Sequence, residues 1–213
     1  MEKVLEEIKS FGIIPVIIID EAENSVPLAN ALIDGGLPVA EITFRTKAAR
    51  ESIEKIAKEF PNMLVGAGTV LSIDNVKNAV DAGAKFIVSP GLNPKVVEYC
   101  LENKIPITPG IATQTEIERA LEFDLEVVKY FPAEALGGLN YLKAISAPFP
   151  KLKFIPTGGI DEKNILNYLQ FSKVIACGGS WMVKSELISS KNFEEIKNLA
   201  SQAQTLARSR NNK

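Results

Sequence analysis

The 213-residue sequence contains no histidine. That absence excludes a Ser-His-Asp triad, a Cys-His pair and any zinc or iron site built on imidazole. Acid–base chemistry must then come from carboxylates, lysine, tyrosine or water. Cysteine is nearly as scarce: Cys100 and Cys177 form no framework, and both read as reduced, mostly buried thiols of a cytoplasmic protein. Long apolar runs are missing too. The longest strongly apolar stretch, residues 13–19, is far too short to span a bilayer, and the charged segment 1–9 has helical spacing rather than the pattern of a signal peptide. Nor is there a surplus of either charge. Lys and Arg number 24 against 26 Asp and Glu, a net −2 that argues against nucleic acid as a partner.

What is present is ordinary globular composition, 46% hydrophobic and 23% charged, without a linker or a break in composition. Short β-rich runs recur at 13–19, 39–44, 63–68, 86–89, 105–109, 127–131, 153–156 and 174–178. Between them lie amphipathic segments: Val26, Leu28, Ala29, Leu32 and Ile33 share a face, as do Ile53, Ile56, Ala57 and Phe60. Thr113 with Glu116, and Asp161 after two glycines, read as helix starts; Gly35, Gly36 and Gly83 read as helix stops. Eight strand–helix units predict a (β/α)8 barrel, one domain over residues 1–213, with the segment before Ile13 as a helix capping one end. A doubly wound sheet is the rival, but the first strand runs into acidic Asp20-Glu21-Ala22-Glu23 rather than a phosphate fingerprint.

In such a barrel, chemistry gathers where strands end. The second run ends Glu41-Ile42-Thr43-Phe44-Arg45. Alternation puts Glu41, Thr43 and Arg45 on one face, towards the axis, with Ile42 and Phe44 outward. Lys129 lies inside the apolar run Val127-Val128-Lys129-Tyr130-Phe131. These charges either form a structural ion-pair plug or do chemistry, because a lone buried charge costs several kcal/mol. Lost hydration, and repulsion from a nearby Arg, would leave Lys129 more of its free amine. A free amine on a rigid strand suits Schiff-base chemistry with a ketone, and a carboxylate alongside could move protons.

The last two runs end in glycine turns, Pro156-Thr157-Gly158-Gly159-Ile160 and Cys177-Gly178-Gly179-Ser180-Trp181. Their amides, hydroxyls and following helix N-termini predict an anion site and a phosphorylated substrate. Gly66-Ala67-Gly68-Thr69-Val70 lacks the third glycine of a dinucleotide fingerprint; its glycines clear space and Thr69 offers a hydroxyl. Trp181 reads as a packing anchor, and the basic tail 208–213 as a frayed, solvated end.

Together with Ser89-Pro90-Gly91 and Lys129-Tyr130-Phe131-Pro132-Ala133-Glu134, these motifs stand in order and at the expected spacing. The chain thereby resembles, over roughly residues 10 to 205, the bacterial 2-keto-3-deoxy-6-phosphogluconate aldolases of the Entner–Doudoroff pathway. That resemblance implies a class I, metal-independent aldolase without a cofactor, a cytoplasmic homotrimer. It implies a phosphorylated 2-keto-3-deoxy sugar acid as substrate and pyruvate and D-glyceraldehyde 3-phosphate as products, with 4-hydroxy-2-oxoglutarate cleavage as a second activity. By the same resemblance Lys129 is the Schiff-base lysine and Glu41 the general acid/base. Arg45 and Thr69 hold the pyruvyl carboxylate, and Thr157, Gly158, Gly159, Gly179 and Ser180 bind phosphate. Phe131 and Pro90 line the pocket. Two alternatives stay open: an aldolase for the galactonate C4 epimer, which Thr157 disfavours by family comparison, and a non-catalytic phosphosugar-binding barrel.

Overall fold

Each apolar run gives a strand, and every strand pair is parallel. The computed structural model describes residues 2–211. Helix α1 (Glu2–Phe11) leads into β1 (Ile13–Ile17), α2 (Ser25–Asp34), β2 (Val39–Thr43), α3 (Ala49–Glu59), β3 (Leu64–Gly68) and α4 (Ile73–Asp81). There follow β4 (Phe86–Val88), α5 (Pro94–Glu102), β5 (Ile107–Thr108), β6 (Gly110–Ile111), α6 (Gln114–Glu122), β7 (Val127–Tyr130) and α7 (Gly138–Ser146). The chain continues through β8 (Lys153–Pro156), α8 (Ile165–Leu169), β9 (Cys177–Gly179), α9 (Ser185–Ser189) and α10 (Phe193–Arg208).

The eight runs become nine strands in two sheets, a six-stranded one in the order β5-β4-β3-β2-β1-β9 and a three-stranded one in the order β6-β7-β8. Pro109 makes the break. Lacking an amide hydrogen, it cannot donate to a neighbour, and its carbonyl instead accepts from the Lys129 amide at 2.9 Å. Between β8 and β9 the pairing thins to two isolated bridges, Phe154–Val174 and Thr157–Gly178. The architecture is therefore a mixed α/β fold on parallel strands. Ile17, Val39, Ile42, Val65, Ile87 and Val128 are buried in its sheets, and the apolar helix faces cover them with Leu28, Leu32, Ile53 and Ile56.

Local signals act as the sequence predicts in most places. Thr113 and Glu116 form a reciprocal capping box at α6. Gly83 follows α4 with φ +97°, a conformation only glycine adopts without strain. Two readings are corrected. Asp161 does not start a helix: its carboxylate accepts from the amides of Lys163 and Asn164 in a local turn, and α8 begins only at Ile165. The tail is not frayed as far as Asn211, since a 3-10 turn spans Ser209–Asn211 and Arg210 donates to the carbonyls of Ile175, at 2.8 Å, and Lys9. Residues 212 and 213 lie outside the described residues. No helix among the described residues is long and apolar enough to cross a membrane.

Candidate active site

Strand β2 carries Glu41, which the sequence places towards the axis, and β7 carries Lys129, which it places inside an apolar run; Arg45, also placed towards the axis, lies past the end of β2 and is exposed. The Lys129 ammonium lies 3.4 Å from Glu41 Oε1, with the residues 6% and 2% exposed. Glycines make the slot. Glu41 is in register with Gly66, and a Cβ on Gly68 would fall 2.1 Å from Glu41 Oε1. Lys129 is in register with Gly110 of β6, where a Cβ would meet the Pro90 carbonyl at 2.1 Å. Pro90 thus sits directly over the strand beside the lysine. Phe131 presents its ring to Lys129 Nζ, 5.1 Å from the centroid, within cation–π range.

Of the two neighbours the sequence suggests for Lys129, the carboxylate is within hydrogen-bonding reach as Glu41, and the arginine is not. Arg45 is exposed instead and donates through Nε to Thr69 Oγ1 at 3.3 Å. Thr69 has φ 56°, left-handed backbone that a β-branched residue enters only at a cost of order 1–3 kcal/mol. That strain aims its hydroxyl at the guanidinium. A buried ammonium–carboxylate pair at this distance can pass a proton, and a guanidinium at the rim can seat a carboxylate.

A cavity of about 430 Å³ opens beside this cluster. Arg45 and Phe131 line it together with Thr157, Gly158, Gly159, Gly179 and Ser180. Glu41, Lys129, Thr69 and Pro90 are not in its wall; Thr69 meets it through Arg45, and Lys129, with Glu41 behind it, through Phe131. The first turn requires glycine twice, with φ +98° at Gly158 and +78° at Gly159. In the second turn a Cβ on Gly179 would strike the Trp181 ring at 2.0 Å, so Trp181 is the anchor under the turn. Ser180 is exposed, whereas Thr157 is buried and its hydroxyl donates to the Ile155 carbonyl at 3.5 Å.

Helix N-termini do not stand directly behind both turns as expected. Helix α8 starts six residues past Gly159, and Gly179 is followed by a single 3-10 turn, Trp181–Val183. The case for an anion therefore rests on the two glycine turns that line the cavity, on Ser180 and on Arg45. Three residues near the site were missed. Lys184 lines the same cavity with no local sequence signal. Glu134 closes the segment that begins at Lys129, and Tyr168 donates to it across 34 residues of chain, a link that no spacing reveals. Tyr130 donates to the Gly138 carbonyl at 3.3 Å, and burial, with smaller effects of Tyr141 and Glu134, pushes its hydroxyl up to about 12.

Set against known proteins, residues 4–199 match the family model described as KDPG and KHG aldolase. A 2-dehydro-3-deoxy-phosphogluconate aldolase of Treponema pallidum is 47% identical, over 95% of this chain and 96% of that protein. A KDPG aldolase of Legionella pneumophila, solved with pyruvate captured as a covalent carbinolamine, superposes with a TM-score of 0.90 at 40% identity, covering 93% of this chain and 96% of that one. The Zymomonas mobilis aldolase solved with 3-phosphoglycerate gives 0.88 at 35% identity and 95% coverage of both chains. By sequence, by fold and by the length over which both hold, the chain belongs to the KDPG and KHG aldolase family.

Proposed function

We propose that this protein is a Schiff-base aldolase that cleaves 2-dehydro-3-deoxy-6-phosphogluconate to pyruvate and D-glyceraldehyde 3-phosphate, and 4-hydroxy-2-oxoglutarate by the same steps. One observation carries the reading: an amine on a strand, buried 3.4 Å from a carboxylate, beside glycine turns suited to an anion. The pyruvate carbinolamine of the Legionella relative and the 3-phosphoglycerate of the Zymomonas relative support the two halves.

Glu41 accepts the ammonium proton, and the freed Lys129 amine attacks the C2 ketone. Glu41 then gives that proton to the carbinolamine hydroxyl, which leaves as water, so an iminium that can draw electrons forms and Glu41 is again a carboxylate. Arg45, held by Thr69, seats the neighbouring carboxylate and so orients C2. Glu41, through a water, takes the proton of the C4 hydroxyl; the C3–C4 bond breaks, the aldehyde forms, and the electron pair enters the enamine. Glu41 then returns a proton to C3, and hydrolysis of the iminium releases pyruvate. Phe131 and Pro90 wall the reacting carbons. The amides of Gly158, Gly159 and Gly179, with the Ser180 hydroxyl and the Thr157 hydroxyl turned from the Ile155 carbonyl, hold the distal phosphate, so remote binding energy positions the bond that breaks.

The same reading extends to the scaffold. It is a single (β/α)8 domain over residues 1–213, with the bridges from β8 to β9 and the Pro109 joint as its two seams and α1 as its cap. The Arg210 contact to the Lys9 carbonyl supports that cap, and two free, buried thiols suit the cytoplasm. The active form is a homotrimer. The test is pyruvate release from the purified protein, followed through a coupled dehydrogenase, with the gluconate and galactonate epimers in parallel and excess chelator present. The gluconate epimer should turn over faster, with chelator making no difference. No pyruvate from either epimer overturns the reading.

A further inference from the structure

The segment that begins with Lys129 ends on Glu134, a carboxylate the proposed reaction does not use. Glu134 Oε1 accepts a short hydrogen bond from the Tyr168 hydroxyl. Tyr168 is 1% exposed on α8, and burial first, then the hydrogen bond to Glu134, holds its hydroxyl protonated well above the usual phenol range. It is therefore a fixed donor.

The rest of Glu134 is built into the first glycine turn. Its amide donates to the Gly158 carbonyl at 3.0 Å, and the Ala133 amide donates to the Thr157 carbonyl at 2.8 Å. Its Cβ and Cγ occupy the space a Cβ on Gly159 would need, at 2.6 and 2.7 Å. Gly138, at φ +63°, leaves room for the pair: a Cβ there would lie 3.0 Å from Glu134 Oε1 and 3.3 Å from Tyr168 Oη. Asn164, four residues before Tyr168, donates from its side chain to the Gly159 carbonyl at 2.9 Å. The turn is thus held between the chain leaving β7 and the start of α8.

We propose that Glu134 and Tyr168 are positioning residues that lock the 157–159 turn to the strand bearing Lys129, so that phosphate and ketone bind at a fixed separation. The inference rests on the aldolase reading of this site. The hydrogen bond also ties down a carboxylate that would otherwise be free to approach the bound phosphate and repel it.

Tyr168→Phe and Glu134→Gln in the full chain test it. Tyr168→Phe removes the donor and should raise KM for the phosphorylated substrate about tenfold. Its kcat/KM for 4-hydroxy-2-oxoglutarate and its rate of borohydride trapping with pyruvate should stay within about twofold of the parent. Glu134→Gln keeps an oxygen acceptor for Tyr168 and should retain most of the parent's affinity for the phosphorylated substrate. A loss shared equally by phosphorylated and unphosphorylated substrates, or no loss in Tyr168→Phe, overturns the inference. Failure of the parent protein to trap pyruvate would instead remove the aldolase reading on which it stands.

Discussion

Lys129 and Glu41 stand on strands, almost wholly out of water, whereas Gly159 and Ser180 stand on exposed turns just past the strand ends. The first pair is fixed by sheet register and by glycines that admit nothing larger. The turns are fixed by a few backbone hydrogen bonds and by Trp181 packed beneath Gly179. Bond-making groups need one geometry and a dry surround; a doubly charged ligand needs exposed amides that it can reach. Changes in the first region should therefore cost turnover and stability together, and changes in the second should cost substrate affinity.

The largest effect expected is from Lys129→Ala, which should lower kcat on the order of 10⁴-fold or more. It should also cost about 3 kcal/mol in urea unfolding, because Glu41 is left buried without its partner. Replacing both partners with apolar residues should recover most of that stability and none of the activity. A single variant as stable as the parent would break the contrast between the two regions. Next comes Glu41→Gln, expected to lose about 10²–10³ in kcat while still forming the pyruvate adduct; near-parental turnover would remove Glu41 from its role. Gly159→Ala combines a positive φ with a clash on Glu134, and should raise KM for the phosphorylated substrate about tenfold or more. Its trapping by pyruvate should be unchanged, and a slower adduct would show that the two regions are not separable. Smallest is a pH effect outside both regions. Burial pushes Cys100 up to about 12 from 9.0, so the folded chain holds that proton more tightly than the unfolded one. Stability should be complete below about pH 9 and decline as pH rises towards 12. Urea midpoints at pH 8 and pH 10.5 check this, and a higher midpoint at pH 10.5 would contradict it.

How much of this was legible in the sequence follows from which interactions are local. Strands buried on both faces appear as unbroken apolar runs, so β1 to β4, β7 and β8 stood out, with ends that overshoot where a partner strand stops. Charges inside such runs stand out for the same reason, hence Glu41 and Lys129. Which charge faces which depends on register between strands far apart in the chain: the carboxylate expected beside Lys129 is there as Glu41, whereas the arginine expected near it bonds to Thr69 instead. Pro109 was visible as a residue, but its role as a seam was not, since that depends on the neighbouring strand. Asp161 looked like a helix start because the same side chain caps turns and helices alike. Glu134 and Tyr168 are joined only through space, and no spacing pattern links them.

The chemistry turns on a single nitrogen, that of Lys129, and covalent capture tests it directly. The purified protein is incubated with pyruvate, reduced with borohydride, digested and mapped by mass spectrometry. A reduced pyruvyl adduct on Lys129, dependent on both reagents and absent from the other lysines, is the predicted result. An unmodified Lys129, or an adduct on any other lysine, would contradict it.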